Sequence, residues 1–337
     1  MLDVPIQKRK AKLLDGNEIP LNGLGTYLSA PSEVTNAVVA GWKCGIRHFD
    51  CAQFYRNETE VGHALRILAK EPGFKREEIF ITSKAWNSHH RPENVKKALA
   101  QTLKDLGTDY LDLYLVHWPV SFAAVEDASS ADGIKLEPHD GKGKMLLDKE
   151  ISLSETWKAF IEAQAQGKVK SIGVSNFRPS HIQKLIDDTG VTPAVNQVEA
   201  HPYLNQQELL DYCTPRGIHI TAYMPFGGDA SRGGVKVLGN PLVADIAKKD
   251  DKDAGQVLAS WGIKRGFSVL PKSVKPSRIE SNFQVYDLDD QSYDALLNLG
   301  RRQPTRFGGI PYTFDPAWEV NVFNTPDEAA ANLFEPF

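Results

Sequence analysis

The sequence predicts a (β/α)8 barrel (a TIM barrel) with an N-terminal β-hairpin, a long loop after the fourth strand and a long C-terminal tail. Three observations support this fold class: strand-like and helix-like segments alternate, the strand candidates number eight, and no linker divides the 337 residues. Such alternation is typical of parallel α/β folds. It fits a doubly wound sheet equally well, so that alternative stays open here. The length suits one large α/β barrel or two ordinary domains, and a single barrel domain spanning residues 1–337 is expected.

The elements follow in order from the N-terminus. In the segment AKLLDGNEIP, an Asp15–Gly16 turn between short flanks predicts a β-hairpin. An amphipathic segment at 91–107 is one of the predicted helices, with Pro92 near its start and Gly107 after its end. Apolar runs rich in strand-forming residues predict the barrel strands at 21–26, 48–52, 79–85, 111–118, 171–176, 194–200, 219–225 and 268–273.

Two long segments fall outside this alternation. Residues 121–152 form a polar loop after the fourth strand, and the tail at 301–337 contains several aromatic residues but little periodicity. Long loops on a barrel commonly act as lids or determine specificity. We therefore expect these two segments to shape a binding site.

Composition excludes several classes of function. A hydrophobic content of 41%, a charged content of 24% and a net charge of -4 suit a globular enzyme and give no electrostatic case for binding nucleic acid or an anionic membrane. The chain has neither an apolar leader at its start nor an apolar run long enough to span a membrane. Its three cysteines show no disulfide or metal-ligand spacing. A cytoplasmic protein without a metal, monomeric or weakly dimeric, is expected.

The usual nucleotide-binding motifs are absent. Gly23 and Gly25 begin a GxGxxG-like pattern, but Leu28 stands where the third glycine is required, so the segment predicts a tight turn. No tyrosine is followed four residues later by lysine, and the chain has no Walker loop. A nucleotide, if bound, is held by other means.

Four residues at or just after predicted strand ends form the strongest functional signal. They are Asp50, Tyr55, Lys84 and His117, in the segments HFDCAQFYRNETEVG, IFITSKAW and LDLYLVHWP. In a parallel barrel these ends converge on the face where catalysis occurs. A phenol is a weak acid, and we expect the Lys84 ammonium to lower the Tyr55 pKa and ease proton transfer. A purely structural Asp–Lys pair is the competing interpretation, and the joint placement favours catalysis.

Six segments extend this pattern into a family resemblance. They are FDCAQFYRNETEVGHAL, ITSKAW, LYLVHWP, GVSNF, VNQVEAHPY and LPKSVKPSRIESN. In this order and spacing the chain resembles the aldo-keto reductase superfamily, from the hairpin to about residue 325. The resemblance implies a (β/α)8 barrel that binds a nicotinamide cofactor without a Rossmann domain, which answers the fold question left open above.

The resemblance also implies roles for individual residues. Tyr55 would be the general acid, tuned by Asp50 and Lys84, and His117 would orient the carbonyl. Tyr223 would stack on the nicotinamide ring. The implied remaining contacts to NADPH are Thr26, the carboxamide ligands Ser175, Asn176 and Gln197, the 2′-phosphate clamp Lys272, Ser273 and Arg278, and the adenine contact Asn282.

Some positions depart from the family pattern. Met224 and Phe226 replace the frequent Ser and Leu, Ser281 replaces an acidic or amide residue, and Tyr27 and Leu28 replace Trp and Lys. The first two bear on pyrophosphate contacts, and Ser281 bears on adenine binding. The implied substrate pocket consists of Tyr27, Trp86, Trp118, Phe122 and Arg306.

The expected function is reduction of a small carbonyl compound by NADPH. The segments look most like fungal and yeast reductases of aldoses, glyceraldehyde and glycerol, so a glyceraldehyde, pentose or uronate substrate is favoured. Arg306 would then receive a substrate carboxylate or face solvent. One alternative is a ketone or hydroxysteroid reductase of the same superfamily. Another is a cofactor-binding protein without catalysis, similar to channel β-subunits or lens crystallins.

Overall fold

The computed structural model describes residues 4–228, 236–331 and 333–336. Two strands, β1 (Lys10–Lys12) and β2 (Glu18–Pro20), pair as an antiparallel hairpin. The strands that follow are β3 (Leu24–Gly25), β4 (His48–Asp50), β5 (Phe80–Ala85), β6 (Leu111–Val116), β7 (Val169–Ser175), β8 (Val195–Glu199), β9 (His219–Tyr223) and β10 (Ser268–Leu270).

Strands β3 to β10 form one parallel sheet in chain order. Parallel bridges from Asn22 to Val269 and from Gly25 to Lys272 join its two edges. The Gly23 and Gly25 amides donate across this seam at 3.0 Å. The sheet therefore closes into a barrel, which excludes the doubly wound alternative.

Helices cover the outside of the barrel. Proline opens several of them, as expected where the first helical N–H needs no partner. The described helices are α1 (Pro31–Cys44), α2 (Glu58–Leu68), α3 (Pro92–Leu106), α4 (Leu153–Ala165), α5 (Pro179–Thr189), α6 (Gln207–Cys213), α7 (Pro241–Asp250), α8 (Ala254–Lys264), α9 (Pro276–Phe283), α10 (Asp290–Arg302) and α11 (Pro326–Ala330). The predicted helix at 91–107 is confirmed, with Pro92 in its first turn and Gly107 in the left-handed conformation at its end.

The hairpin closes the amino-terminal end of the barrel. Leu13 and Ile19 are buried there against Phe80, Leu113 and Val195, side chains from three of the barrel strands. The turn between β1 and β2 passes through Gly16 at φ 90°, where other residues are strained. Because this end is filled, the opposite mouth is left for a site.

The two long segments cover the open mouth, as expected for them. The loop at 121–152 is pinned internally by bridges such as Phe122 to Leu147, and Lys144 bridges to Ala317 in the tail. Both segments contribute rings to one aromatic cluster with Trp86. Tail positions 332 and 337 lie outside the described residues.

The predicted fold class is confirmed, but several strands are shorter than predicted. The run at 21–26 contributes only Leu24–Gly25, and the run at 268–273 only Ser268–Leu270. Outside these spans the seam pairs only through single bridges, Asn22 with Val269 and Lys272 with Gly25, so the regular ladder stops there. Apolar content alone does not mark that point.

Candidate active site

The four candidate proton-transfer residues meet at the open mouth. The Lys84 ammonium donates to Asp50 Oδ2 at 2.7 Å, to the Cys51 carbonyl at 2.8 Å and to the Tyr55 hydroxyl at 3.1 Å. Asp50 ends β4, Lys84 lies near the end of β5, and His117 follows β6. The rings of His117 and Tyr55 lie 5.9 Å apart at an interplanar angle of 78°. The parallel strands thus bring the four expected residues together on one face of the barrel.

The Tyr55 phenol is held in its protonated form. Burial, followed by the negative charge of Asp50, raises the Tyr55 pKa well above its ordinary value. The expected net lowering of the Tyr55 pKa is therefore wrong, because burial and the Asp50 charge outweigh any effect of the Lys84 ammonium. The Asp50 carboxylate is paired with Lys84, so it offsets the ammonium at the phenol. Such a phenol gives up its proton only to a strongly basic oxygen, and the Lys84 hydrogen bond would stabilise the resulting phenolate.

His117 is a neutral group. Its side chain is buried, and burial together with the Lys84 charge lowers the His117 pKa well below its ordinary value. Its Nδ1 has no hydrogen-bond partner among the described residues. The edge of the Trp86 ring packs against it at 4.9 Å between centroids, and Asn176 donates to its carbonyl at 3.1 Å. A neutral imidazole held this way can hydrogen-bond a carbonyl oxygen without adding charge.

The loop that carries Tyr55 is fixed by contacts that the sequence did not reveal. After β4 a short 3-10 helix spans Gln53–Tyr55. The Gln53 amide donates to Asp132 Oδ2 at 2.6 Å, and His89 Nε2 lies 2.9 Å from the same oxygen. Arg56 donates to Glu137 at 2.7 Å. Asp132 and Glu137 belong to the 121–152 loop, which therefore braces the Tyr55 loop.

The implied carboxamide ligands lie directly beside the tetrad, the group formed by Asp50, Tyr55, Lys84 and His117. Tyr223 donates its hydroxyl to Asn176 Oδ1 at 2.8 Å, and Ser175 donates to the Gln197 carbonyl at 2.8 Å. Gln197 also donates its amide to Asp50 Oδ1 at 2.8 Å. This last contact links the cofactor ligands to the proton-transfer group. It was not predicted, because no spacing indicates which inward side chains of β4 and β8 meet across a barrel.

The implied phosphate clamp lies where β10 leads into α9. Lys272 donates to the Leu28 carbonyl at 3.1 Å, and the Ser273 hydroxyl accepts from the Lys275 amide at 3.2 Å. Arg278 is exposed on the first turns of α9. Among the described residues, neither Lys272 nor Arg278 forms an ion pair. Thr26 donates its hydroxyl to the Asp50 carbonyl at 2.9 Å, which makes it a support of β4.

The residues present fit a nicotinamide dinucleotide phosphate. The amides of Asn176 and Gln197 suit a carboxamide, which both donates and accepts hydrogen bonds. Two cations without carboxylate partners at a helix N-terminus suit a phosphate group. Ser281, which departs from the family pattern, is hydrogen-bonded to Asp253 at the start of α8. The Asp253 carboxylate thus lies against position 281, beside Asn282, where the family pattern has an acidic or amide residue.

The implied substrate pocket is an aromatic box on the tetrad. Tyr27 is half exposed at its rim, 5.0 Å from the Tyr55 ring between centroids. Trp86 is buried and donates its indole N–H to the Leu136 carbonyl at 2.7 Å. Phe122 is also buried and supports the wall from behind Trp86. The sequence analysis missed two wall residues, Phe54, stacked on Trp86 at 3.8 Å, and Trp318, 5.4 Å from Trp118.

Arg306 lies behind this box. Its guanidinium sits 3.7 Å from the centre of the Phe323 ring, and Phe323 in turn packs 6.1 Å from Trp118. Its Nη1 lies 3.9 Å from the buried carboxylate of Glu199. Arg306 therefore faces neither open solvent nor the tetrad directly. Contact between Arg306 and a substrate stays a prediction.

No described helix is both long and apolar enough to cross a membrane. No group of three or more His, Cys, Asp or Glu among the described residues is placed to hold a metal ion.

Comparisons with known proteins agree with this geometry. A profile described as "Aldo/keto reductase family" matches residues 22–300. The D/L-glyceraldehyde reductase of Hypocrea jecorina is 46% identical over 331 residues, covering 96% of each chain. The glycerol 2-dehydrogenase (NADP(+)) of the same organism is 40% identical, covering 89% of this chain and 94% of its own. The aldose reductase structure from Schistosoma japonicum superposes with a TM-score of 0.79 at 40% identity, covering 86% of this chain and 91% of that one. The chain therefore belongs to the aldo/keto reductase family, as the sequence resemblance implied.

Proposed function

We propose that this enzyme reduces small aldehydes, including aldoses such as glyceraldehyde, to alcohols with NADPH as the hydride donor. The observation that carries the proposal is the 3.1 Å contact between the Lys84 ammonium and the Tyr55 phenol beside a neutral His117. The narrow aromatic box on that phenol favours a small substrate. Two relatives named for glyceraldehyde and glycerol support the same substrate class.

The cofactor would lie along the ends of β7, β8 and β9. NADPH supplies a hydride from its reduced nicotinamide ring when bound. Ser175, Asn176 and Gln197 would hold the carboxamide of that ring, and Tyr223 would pack against its face. Because Tyr223 is itself fixed by Asn176, the stacking surface is positioned before the cofactor arrives. Such preorganisation lowers the cost of orienting a reactant.

The chain's own residues manage the proton. His117 would hydrogen-bond the substrate carbonyl oxygen and turn its carbon toward the cofactor. The hydride that NADPH would supply adds to the carbonyl carbon and leaves the C=O π electrons on oxygen, and Tyr55 would give that oxygen its proton. The product is the alcohol, and solvent reprotonates the phenolate. Lys84, fixed by Asp50, stabilises the phenolate between turnovers.

The proposal is tested by turnover with a panel of carbonyl compounds. Oxidation of NADPH is followed with glyceraldehyde, a pentose, a uronate and a ketosteroid. We expect the highest kcat/KM with glyceraldehyde or another small aldehyde. Preference for the ketosteroid would support the ketone-reductase alternative, and NADPH binding without turnover of any carbonyl would support a non-catalytic protein.

The preference for NADPH over NADH is a proposal about the clamp. We expect Lys272→Ala and Arg278→Ala each to weaken NADPH binding about 10- to 100-fold, because each removes a charged hydrogen bond contributing roughly 1.5–3 kcal/mol. NADH, which lacks the 2′-phosphate, should bind nearly as before. Exposed Lys248 on α7 supplies the matched control, Lys248→Ala. Fluorescence titration measures both affinities, and an unchanged NADPH/NADH ratio would place the 2′-phosphate elsewhere.

A further inference from the structure

A buried glutamate at the end of β8 holds the C-terminal tail. Glu199 is fully buried, and its Oε1 accepts from the Phe307 amide at 2.5 Å and from His201 Nε2 at 3.0 Å. Its Oε2 accepts from the Gly308 amide at 2.9 Å. Arg306 Nη1 adds a charge at 3.9 Å. Three consecutive tail residues thus converge on one carboxylate.

This anchor fixes the tail over the proposed nicotinamide site. A Cβ placed on Gly308 would lie 2.7 Å from Glu199 Oε2 and 3.7 Å from the Tyr223 hydroxyl, so the tail backbone crosses both residues closely. Phe307 is buried on the other side, where a Cβ on Gly228 would meet it at 2.7 Å. The segment 306–308 is therefore held between the end of β8 and the loop after β9.

The anchor is also charged. Burial alone would raise the Glu199 pKa, but the His201 hydrogen bond, the Arg306 charge and the Phe307 amide together lower it below its ordinary value. The carboxylate is thus ionised and depends on the tail for its hydrogen bonds, as the tail depends on it.

The next part of the tail has a separate anchor. Glu328, also buried, accepts from the amides of Val322 at 2.9 Å and Thr325 at 2.9 Å. This turn carries Phe323, which packs against Trp118 in the aromatic box. The tail is therefore held at two separate points by two different carboxylates.

We propose that Glu199 is a positioning residue for the carbonyl substrate, acting through the tail segment 306–308. Arg306, placed by this anchor, packs on Phe323, so the anchor sets the far wall of the aromatic box. Glu199 touches neither the proton donor nor the proposed hydride path. Its loss should therefore weaken substrate binding while leaving the chemical step intact, an inference that rests on the proposed function.

Hydrogen exchange tests the anchor without reference to activity. In Glu199→Gln one oxygen becomes an NH2 group that cannot accept, so either the Phe307 or the Gly308 amide loses its acceptor, and we expect that amide to exchange at least tenfold faster. The Val322 and Thr325 amides should be unchanged. Glu328→Gln should give the reverse pattern. If the Phe307 and Gly308 amides both exchange at the same rate in Glu199→Gln as in the unaltered enzyme, Glu199 does not anchor the tail.

Kinetics then test its role. For Glu199→Gln we expect KM for glyceraldehyde to rise about tenfold, with kcat and the NADPH dissociation constant changing less than about twofold, the pattern of lost uniform binding. Gly308→Ala, whose Cβ collides with the same carboxylate, should reproduce this effect with Glu199 intact and carries the test if Glu199→Gln does not fold. Glu162→Gln, on the surface of α4, is the control.

The outcomes separate the two proposals. An unaltered enzyme that reduces no aldehyde would refute the proposed function, while the exchange experiment would still decide the anchor. An active enzyme in which both variants lower kcat at unchanged KM would overturn the positioning role and leave the reaction standing.

Discussion

At the scale of single residues, burial shifts two pKa values in opposite directions and keeps both groups in their neutral forms. The Tyr55 pKa is raised and the His117 pKa is lowered, each with desolvation as the largest cause. Over a broad pH range, Tyr55 is thus available as an acid and His117 as a hydrogen-bond donor, and neither side chain brings a charge to the carbonyl. The charged pair Lys84 and Asp50 lies one layer below them.

A pH profile follows from these directions. Reduction requires protonated Tyr55 and neutral His117, so we expect kcat/KM for aldehyde reduction to be flat between about pH 6 and 9. Activity should fall at higher pH, where the phenol loses its proton. Initial rates in overlapping buffers at constant ionic strength give the profile. A loss of activity on the acid side with an apparent pKa near 6.5 would show that His117 titrates and contradict its neutral state.

Much of the residue-scale account could be predicted from sequence. Asp50, Tyr55, Lys84 and His117 each follow a strand-like run, and parallel strands bring such positions together. The direction of the Tyr55 shift could not be predicted, because it depends on the depth of the hydroxyl and on the charge balance of the pair beneath it. The link from Gln197 to Asp50 was equally hidden, since it joins strands far apart in sequence.

At the scale of secondary-structure elements, a buried carboxyl ties two helices to a strand. Glu58 opens α2 and accepts from Ser83 of β5 at 2.5 Å and from Thr102 of α3 at 2.8 Å. Burial raises the Glu58 pKa from 4.5 to about 7, although both hydroxyls act to lower it. The folded protein therefore binds this proton more tightly than the unfolded chain does.

Stability should depend on pH through this group. The pKa of Glu58 is higher in the folded protein than in the unfolded chain. Its contribution to the free energy of unfolding is therefore complete below about pH 4.5 and is lost as the pH rises to about 7. We expect Glu58→Gln to flatten the free energy of unfolding between pH 5 and 8, by an amount on the order of 3 kcal/mol at most. Urea unfolding measures it, with exposed Glu77→Gln as control. A variant with the unaltered pH dependence would refute the shift.

Element boundaries were less predictable than element order. The helix at 91–107 was marked by Pro92 and Gly107, whose backbone requirements are local. The strand ends lack such markers. The predicted runs at 21–26 and 268–273 include residues outside β3 and β10 that pair only through isolated bridges, so the sequence pattern overstated both strands.

At the scale of the whole molecule, both ends of the barrel are covered by segments that are not part of its strands and helices. The hairpin fills one end, and the 121–152 loop and the tail cover the other through shared aromatic rings. Their length and lack of periodicity predicted that these segments shape a binding site. Their contacts could not be predicted, because they depend on long-range packing without periodicity.

Binding of the cofactor should stabilise this whole assembly. A ligand that binds only the folded state at 100 times its dissociation constant contributes about 2.7 kcal/mol. We therefore expect one cooperative thermal transition whose midpoint rises by several degrees with NADPH, and by less in Lys272→Ala at the same concentration. Scanning calorimetry gives both. Two separate transitions would contradict a single domain, and an unshifted midpoint would contradict cofactor binding.

The central claim is that Tyr55 delivers the proton during carbonyl reduction, and Tyr55→Phe tests it most directly. The phenyl ring keeps the packing against Tyr27 and His117 but removes the acid. Single-turnover oxidation of bound NADPH by glyceraldehyde, beside a fluorescence titration of NADPH, separates chemistry from binding. The account predicts unchanged NADPH affinity and a turnover rate lower by several orders of magnitude. A variant that turns over at the unaltered rate would contradict the assignment of Tyr55 as the acid.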